Sequence, residues 1–141
     1  MKHTGSYFEY EKERNCDLMR AFRTVMAHRN GRPMKDVYER IVELPSKRFW
    51  VSELRAAKVV SLIIKGNDLD NMRPNKRAMF NEIHKRVMDL KKTRPNDSIY
   101  SLTFDVVNSQ APRFYLTPNS AHMIILKIKN QWYEARECLR V

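Results

Sequence analysis

In two short segments of the chain, a cation and an aromatic pair are followed by one aliphatic residue and then a hydroxyl residue. The first is SKRFWVS at residues 46–52, and the second is APRFYLT at residues 111–117. A hydroxyl residue is a favoured helix N-cap, and the free N–H groups at a helix N-terminus attract anions. An arginine beside such a helix start can therefore contact phosphate, and an exposed ring can stack on a base. The chemistry that these residue types support is nucleic-acid binding.

The side chains of these segments have different expected roles. The expected phosphate ligands are Lys47, Arg48 and Arg113. We expect Phe49 and Phe114 to anchor their loops in the core. For Trp50 and Tyr115, stacking on a base and anchoring of the loop both stay open.

Further cations and polar groups follow at helical spacing. At the starts of the helices after the two segments, the candidates for base or phosphate contact are Ser52, Arg55, Lys58, Asn119 and His122. A dense basic stretch forms a third group: Arg73, Lys76, Arg77, Lys85, Arg86, Lys91 and Lys92. Only Glu82 and Asp89 interrupt this stretch between Arg73 and Lys92. It predicts a ridge for a phosphate backbone, with a merely solvated helix face as the alternative.

The overall charge favours a polyanionic partner. The chain has 141 residues with 27 Lys+Arg against 16 Asp+Glu, a formal net charge of +11. Residues 1–70 carry 14 basic and 10 acidic side chains, and residues 71–141 carry 13 and 6, so the excess is not confined to one tail. Phosphate backbones and anionic lipids both respond to such a field. Nucleic acid is favoured and no membrane partner is expected, because no helix pairs a Trp/Phe/Leu face with a Lys/Arg face.

Signatures of catalysis and of cofactor binding are missing from the sequence. Three glycines leave no room for a phosphate-binding glycine loop, the four histidines are scattered, and the two cysteines lack CxxC spacing. We therefore expect a non-enzymatic protein with no metal and no cofactor. Two cysteines cannot form a disulfide framework, and residues 1–15 lack a signal peptide, which favours a reduced, cytoplasmic protein.

The apolar spacing predicts an all-α fold. The expected helices run from about Tyr7 to His28, through Val37, Ile41 and Leu44, from Glu53 to about Lys65, from an Asn75 cap to about Lys92, through Ile99, Leu102 and Val106, and onward from a Thr117 cap. The apolar C-terminal part of the third of these helices is expected in the core. Few glycines and prolines argue against a fold of many hairpins.

The helices recur in the same order, and residues recur with them. Arg48-Phe49-Trp50 lies 65 positions before Arg113-Phe114-Tyr115, and Arg32-Pro33 lies 62 positions before Arg94-Pro95. This pattern predicts a tandem duplication of a three-helix, helix-turn-helix-like unit, with repeats at about 9–66 and 75–131. We expect both repeats to pack as one compact domain spanning residues 1–141.

Four stretches carry a resemblance to known proteins: EYEKERNCDLMRAFR, ELPSKRFWVSELRAA, NMRPNKRAMFNEIHKRVM and APRFYLTPNSA. Over about residues 9–125 the chain resembles a group of small, uncharacterised proteins from phages and mobile elements of gut Bacteroidetes. The resemblance implies a biological setting and carries no assigned activity.

The function expected from the sequence is non-enzymatic binding of double-stranded DNA for a phage or mobile element. One alternative is an RNA-binding accessory factor of a mobile-element enzyme, with the loop aromatics stacked on unpaired bases. Another is a helical interaction or virion component whose positive charge is incidental.

Overall fold

The computed structural model describes residues 5–131, and these residues form six α-helices without a β-strand. The helices are α1 (Gly5–Ala27), α2 (Met34–Glu43), α3 (Glu53–Ile64), α4 (Pro74–Thr93), α5 (Ile99–Val107) and α6 (Pro118–Asn130). The all-α prediction is confirmed. None of these helices combines the length and the apolar character that crossing a membrane requires; the cytoplasmic location stays a prediction.

Capping side chains set the starts of α3 and α6. Ser52 accepts a hydrogen bond from the Arg55 N–H at 3.1 Å, and Thr117 accepts one from the Ser120 N–H at 3.0 Å, so both predicted caps are confirmed. The prediction that Asn75 caps α4 is wrong. Pro74 is the first residue of α4 and Arg73 is its N-cap, since proline lacks the N–H that the first turn leaves unpaired.

The described residues divide into two compact units. Unit one consists of residues 1–46 and 112–141, and its described part holds α1, α2 and α6. Its core is formed by side chains that are fully or almost fully buried: Leu18, Phe22, Val37, Ile41, Ala121, Ile125 and Ile128. Cys16 on α1 is half-buried and disulfide-bonded, which differs from the predicted reduced side chain. Cys138, the other cysteine that the sequence predicts to be reduced, lies outside the described residues.

Unit two is residues 47–111 and holds α3, α4 and α5. All three helices pack against one another. Their shared core contains Phe49, Ala56, Val60, Phe80, Ile83, Val87 and Leu102. The expectation that Phe49 and Phe114 are core anchors is confirmed, because only 1% of Phe49 and 5% of Phe114 are exposed.

The third helix of each predicted repeat packs with the other repeat. α3 contacts α4 and α5, whereas α6 contacts α1 and α2. The segments after α2 and after α5 therefore each lead out of one unit into the other. In neither unit does a tight turn join the short helix to a third helix, so the helix-turn-helix connection expected from the sequence is not formed. The single-domain prediction stays a prediction.

Candidate nucleic-acid interface

The basic stretch on α4 contributes four exposed cations to unit two. They are Arg73, Lys76, Lys85 and Lys92. Of these, only Lys92 lies near an acid of the described residues, 3.8 Å from Asp89, and both side chains are well exposed. An exposed pair of this kind contributes little to stability, so the cation is available to a ligand.

Three other cations of the predicted ridge, Arg77, Arg86 and Lys91, are half-buried. Arg86 donates to Glu82 at 2.8 Å and to the Gln110 carbonyl at 2.7 Å. Its guanidinium also lies 5.1 Å from the centre of the Phe49 ring. Lys91 donates to the carbonyls of the α4–α5 connection. Arg77 is half-buried, and its buried Nε has no hydrogen-bond partner among the described residues. The ridge is therefore narrower than its sequence predicts, because Arg86 and Lys91 donate to groups within unit two and Arg77 is half-buried.

Arg48 is the most highly connected of the predicted phosphate ligands. Its guanidinium donates to the Phe49 carbonyl at 3.0 Å, the Val51 carbonyl at 2.7 Å and the Asn108 side-chain oxygen at 3.1 Å. It also lies 3.6 Å from Glu53, and only 16% of its side chain is exposed. These contacts hold the segment before α3 against the end of α5. Phosphate binding by Arg48 stays a prediction, and this geometry favours a structural role.

The equivalent segment of unit one is more open. Arg113 lies 4.8 Å from the centre of the Tyr115 ring and 3.5 Å from Glu43. Glu43 is largely exposed, so this ion pair is weak. Tyr115 is half-buried and has a φ of +59°, which lies in the left-handed region that is costly for a residue with a Cβ. Arg113 therefore keeps more freedom than Arg48 to meet an anion.

In unit two, the candidates before and at the start of α3 are mostly at the surface. Lys47, Ser52, Arg55 and Lys58 are exposed, and Trp50 is half-buried. The Arg55 guanidinium lies 5.9 Å from the centre of the Phe80 ring, which directs it toward the N-terminal half of α4. Arg55 and Lys58 form no ion pair with a described acid. They are thus placed to extend the cationic surface of α4.

In unit one, the two candidates on α6 differ from each other. Asn119 is exposed, whereas His122 is half-buried and stacks on Tyr38 with ring centres 4.3 Å apart. Burial raises the pKa of Tyr38 above its usual value. The stacking gives His122 a packing role within unit one, and its contact with nucleic acid stays a prediction.

Several apolar side chains are exposed. On α3 the sequence predicts that they are buried, and on α5 the sequence makes no prediction of their exposure. Leu62 and Ile64 of α3 are 43% and 46% exposed, so the prediction that the C-terminal part of α3 is core is wrong for both. Tyr100 and Phe104 of α5 are also nearly half exposed, with ring centres 6.5 Å apart. Their spacing of four residues indicates a shared helix face, but cannot show that this face lies away from the core.

The acids between α3 and α4 serve their own loop. Asp68 accepts from the Asp70 N–H at 3.1 Å, and Asn67 accepts from the Leu69 N–H at 2.8 Å. A side-chain hydrogen bond with Asp68 raises the pKa of Asp70, and the same bond lowers the pKa of Asp68. No group of three potential metal ligands occurs among residues 5–131. These contacts give the acids a turn role in the loop between α3 and α4.

Comparison with known proteins adds no functional assignment to this geometry. No protein-family model, curated protein or solved structure matches the chain.

Proposed function

We propose that the chain is a non-enzymatic nucleic-acid-binding protein that holds a phosphate backbone on the cationic surface of unit two. We define this surface as Arg55, Lys58, Arg73, Lys76 and Lys85. The observation that carries the proposal is that all five side chains are exposed and none forms an ion pair with a described acid. Lysine and arginine in this state release counterions when they bind phosphate, which supplies most of the affinity of backbone-directed binding.

The start of α4 adds a second attraction for phosphate at this surface. Arg73 and Lys76 lie at the N-terminus of a 20-residue helix whose first turn contains no acid and no side-chain cap. The unpaired N–H groups and the helix dipole therefore add to the charge of the lysine and arginine side chains. Because the helix-turn-helix connection is not formed, this proposal rests on phosphate contacts rather than on a recognition helix.

Double-stranded DNA of a phage or mobile element is the partner that we propose first. A duplex presents a regular row of phosphates, which suits cations distributed along α4 and α3 more than it suits a single deep pocket. The expected ligands Arg113 and Asn119 of unit one belong to the same proposal as secondary contacts. Its setting in a mobile element rests on the resemblance alone.

A salt titration of the full chain tests this function. Binding to duplex DNA is measured by filter retention at several salt concentrations, for the natural chain and for a Lys76→Gln/Lys85→Gln variant. We expect the slope of log K against log[salt] to become less steep by about 0.9 for each phosphate contact that is lost. Lys35→Gln is the control, because Lys35 is an exposed lysine of α2 in unit one. Equal effects of the two sets of substitutions, or no binding at all, would contradict the proposal.

RNA binding is the second candidate function, and the exposed rings on α5 favour it. Tyr100 and Phe104 offer aromatic faces on which unpaired bases can stack. Replacing both with leucine should weaken binding of single-stranded RNA and leave duplex DNA binding unchanged. Preference of the natural chain for single-stranded RNA over duplex DNA would favour this function over the first.

We also infer that the chain arose by tandem duplication of a three-helix unit. Contacts that lie 65 positions apart support this history. Phe49 N–H donates to the Val107 carbonyl at 3.0 Å within unit two, and Phe114 N–H donates to the Val42 carbonyl at 3.1 Å within unit one. In both segments an arginine lies over the aromatic ring two residues later. Donor, acceptor and ring positions thus recur at the repeat spacing.

A further inference from the structure

Each unit is completed by a helix from the other half of the chain. The first half runs to the end of α3 and the second half begins at α4. α6 of the second half contributes the fully buried Ala121 and Ile125 to unit one, and α3 of the first half contributes the fully buried Ala56 and Val60 to unit two. Neither half therefore contains a complete unit, and each half is the partner that the other half needs.

Along the backbone, the loop at residues 65–73 joins the two halves. Within it, Gly66 has a φ of +105° and Leu69 has a φ of +60°. Leucine in the left-handed region is strained, and its side chain is held in place by burial. Extension of this loop would relax Leu69 without breaking any helix, so the loop has the properties of a hinge.

We propose that two copies of the chain associate by exchanging halves about this hinge, forming a dimer that contains four complete units. The first half of one copy pairs with the second half of the other, and every contact between a first half and a second half is made again between chains. The exchange therefore needs no new interface, and the chain concentration sets the balance between monomer and dimer. The partner in this inference is a second copy of the chain, and it does not depend on the proposed nucleic-acid binding.

Complementation between two defective full-length chains tests the exchange. Val60→Asp puts a charge into the core of unit two, and Ile125→Asp, 65 positions later, does the same in unit one. In an exchanged dimer of the two variants, the first half of the Ile125→Asp chain and the second half of the Val60→Asp chain are both intact. When these two intact halves pair, they form one copy of unit one and one copy of unit two, and neither copy contains a substituted residue.

Because Cys16 is disulfide-bonded, the variants are mixed in urea with a thiol reductant. They are then refolded together at high concentration and analysed by native mass spectrometry and hydrogen exchange. We expect a mixed dimer in which one first half and one second half are protected to the level of the natural chain. The control mixes Val60→Asp with Ala56→Asp, because α3 is then defective in every pairing. Absence of the mixed dimer, or equal protection in the control mixture, would overturn the proposal.

A second variant keeps the test independent of the core substitutions. Deletion of residues 65–73 leaves no connecting residue between α3 and α4, so α3 cannot turn back onto α4 within one molecule. We expect the shortened chain to form a dimer, with about twice the mass of its own monomer. Insertion of five Gly/Ser residues at the same place should leave a monomer at the same concentration. A shortened chain that is folded and monomeric would overturn the exchange.

Discussion

Replacement of Arg48 by methionine should unfold the chain more easily without weakening its affinity for nucleic acid. The substitution keeps the apolar length of the side chain and removes the donors to Phe49, Val51 and Asn108. The Phe49 carbonyl keeps the Val51 N–H as a donor, whereas the Val51 carbonyl loses the arginine. A buried polar group left without its partner costs about 1–3 kcal/mol. With the lost contact to the Trp50 ring, the total is about 3 kcal/mol.

Urea unfolding followed by circular dichroism measures this loss. With an m value of about 1.5 kcal/mol/M, a loss of about 3 kcal/mol lowers the midpoint by about 2 M. Arg113→Met is the matched control, since the Arg113 guanidinium has only a weak pair with the exposed Glu43 and a ring contact with Tyr115. We expect a loss below about 1 kcal/mol there. The reasoning is refuted if Arg48→Met leaves the midpoint unchanged while DNA affinity falls, because Arg48 would then be a phosphate ligand.

Three further predictions concern unit two. Ser52→Ala should lower the free energy of unfolding by about 1 kcal/mol through loss of the α3 cap, whereas no change in urea unfolding would show that the cap is dispensable. Phe80→Ala should cost about 3–5 kcal/mol, since the ring is 1% exposed, and an unchanged melting temperature would contradict that burial. Asp70→Asn should raise the melting temperature at pH 7 and have little effect below the pKa of either acid. The raised pKa of Asp70 makes its deprotonation unfavourable to the folded state as pH rises, while the lowered pKa of Asp68 favours the folded state over the same range. Equal melting temperatures of both proteins across pH 3–7 would count against this coupling.

The positions of the helices follow from local features that a sequence contains. Apolar residues at helical spacing place all six helices, and the hydroxyl caps at Ser52 and Thr117 are confirmed. The error at Asn75 has a local cause as well, because Pro74 takes the first position of α4 and moves the start upstream. Propensity and capping act over a few residues, so sequence reasoning reaches them.

The pairing of helices does not follow from the same features. The third helix of each repeat has alanine and branched aliphatic residues on its buried face. Such a helix could pack on the helices of its own repeat or on those of the other repeat, and its sequence pattern would be the same in both cases. The path of the segments at residues 44–52 and 108–117 leads each third helix to its partner, and apolar periodicity does not predict that path.

The sequence also does not predict which cations are exposed and which form contacts within their unit. Arg48 and Lys85 look alike in a charge count, yet Arg48 donates to carbonyls within unit two and Lys85 is exposed. Whether a guanidinium meets solvent or a carbonyl depends on residues distant in the chain, such as Asn108. Charge patterning therefore predicts the kind of partner better than it predicts the individual ligands.

The order of the helices has a consequence for synthesis on the ribosome. Unit two is contiguous and can fold as soon as Ala111 has emerged, but α1 and α2 wait for α6, which is translated last of the described helices. Until then the faces carrying Leu18 and Ile41 have no complete core to enter. Nascent chains stalled before residue 118 should therefore be targets for chaperones and proteases, which act on exposed apolar surface.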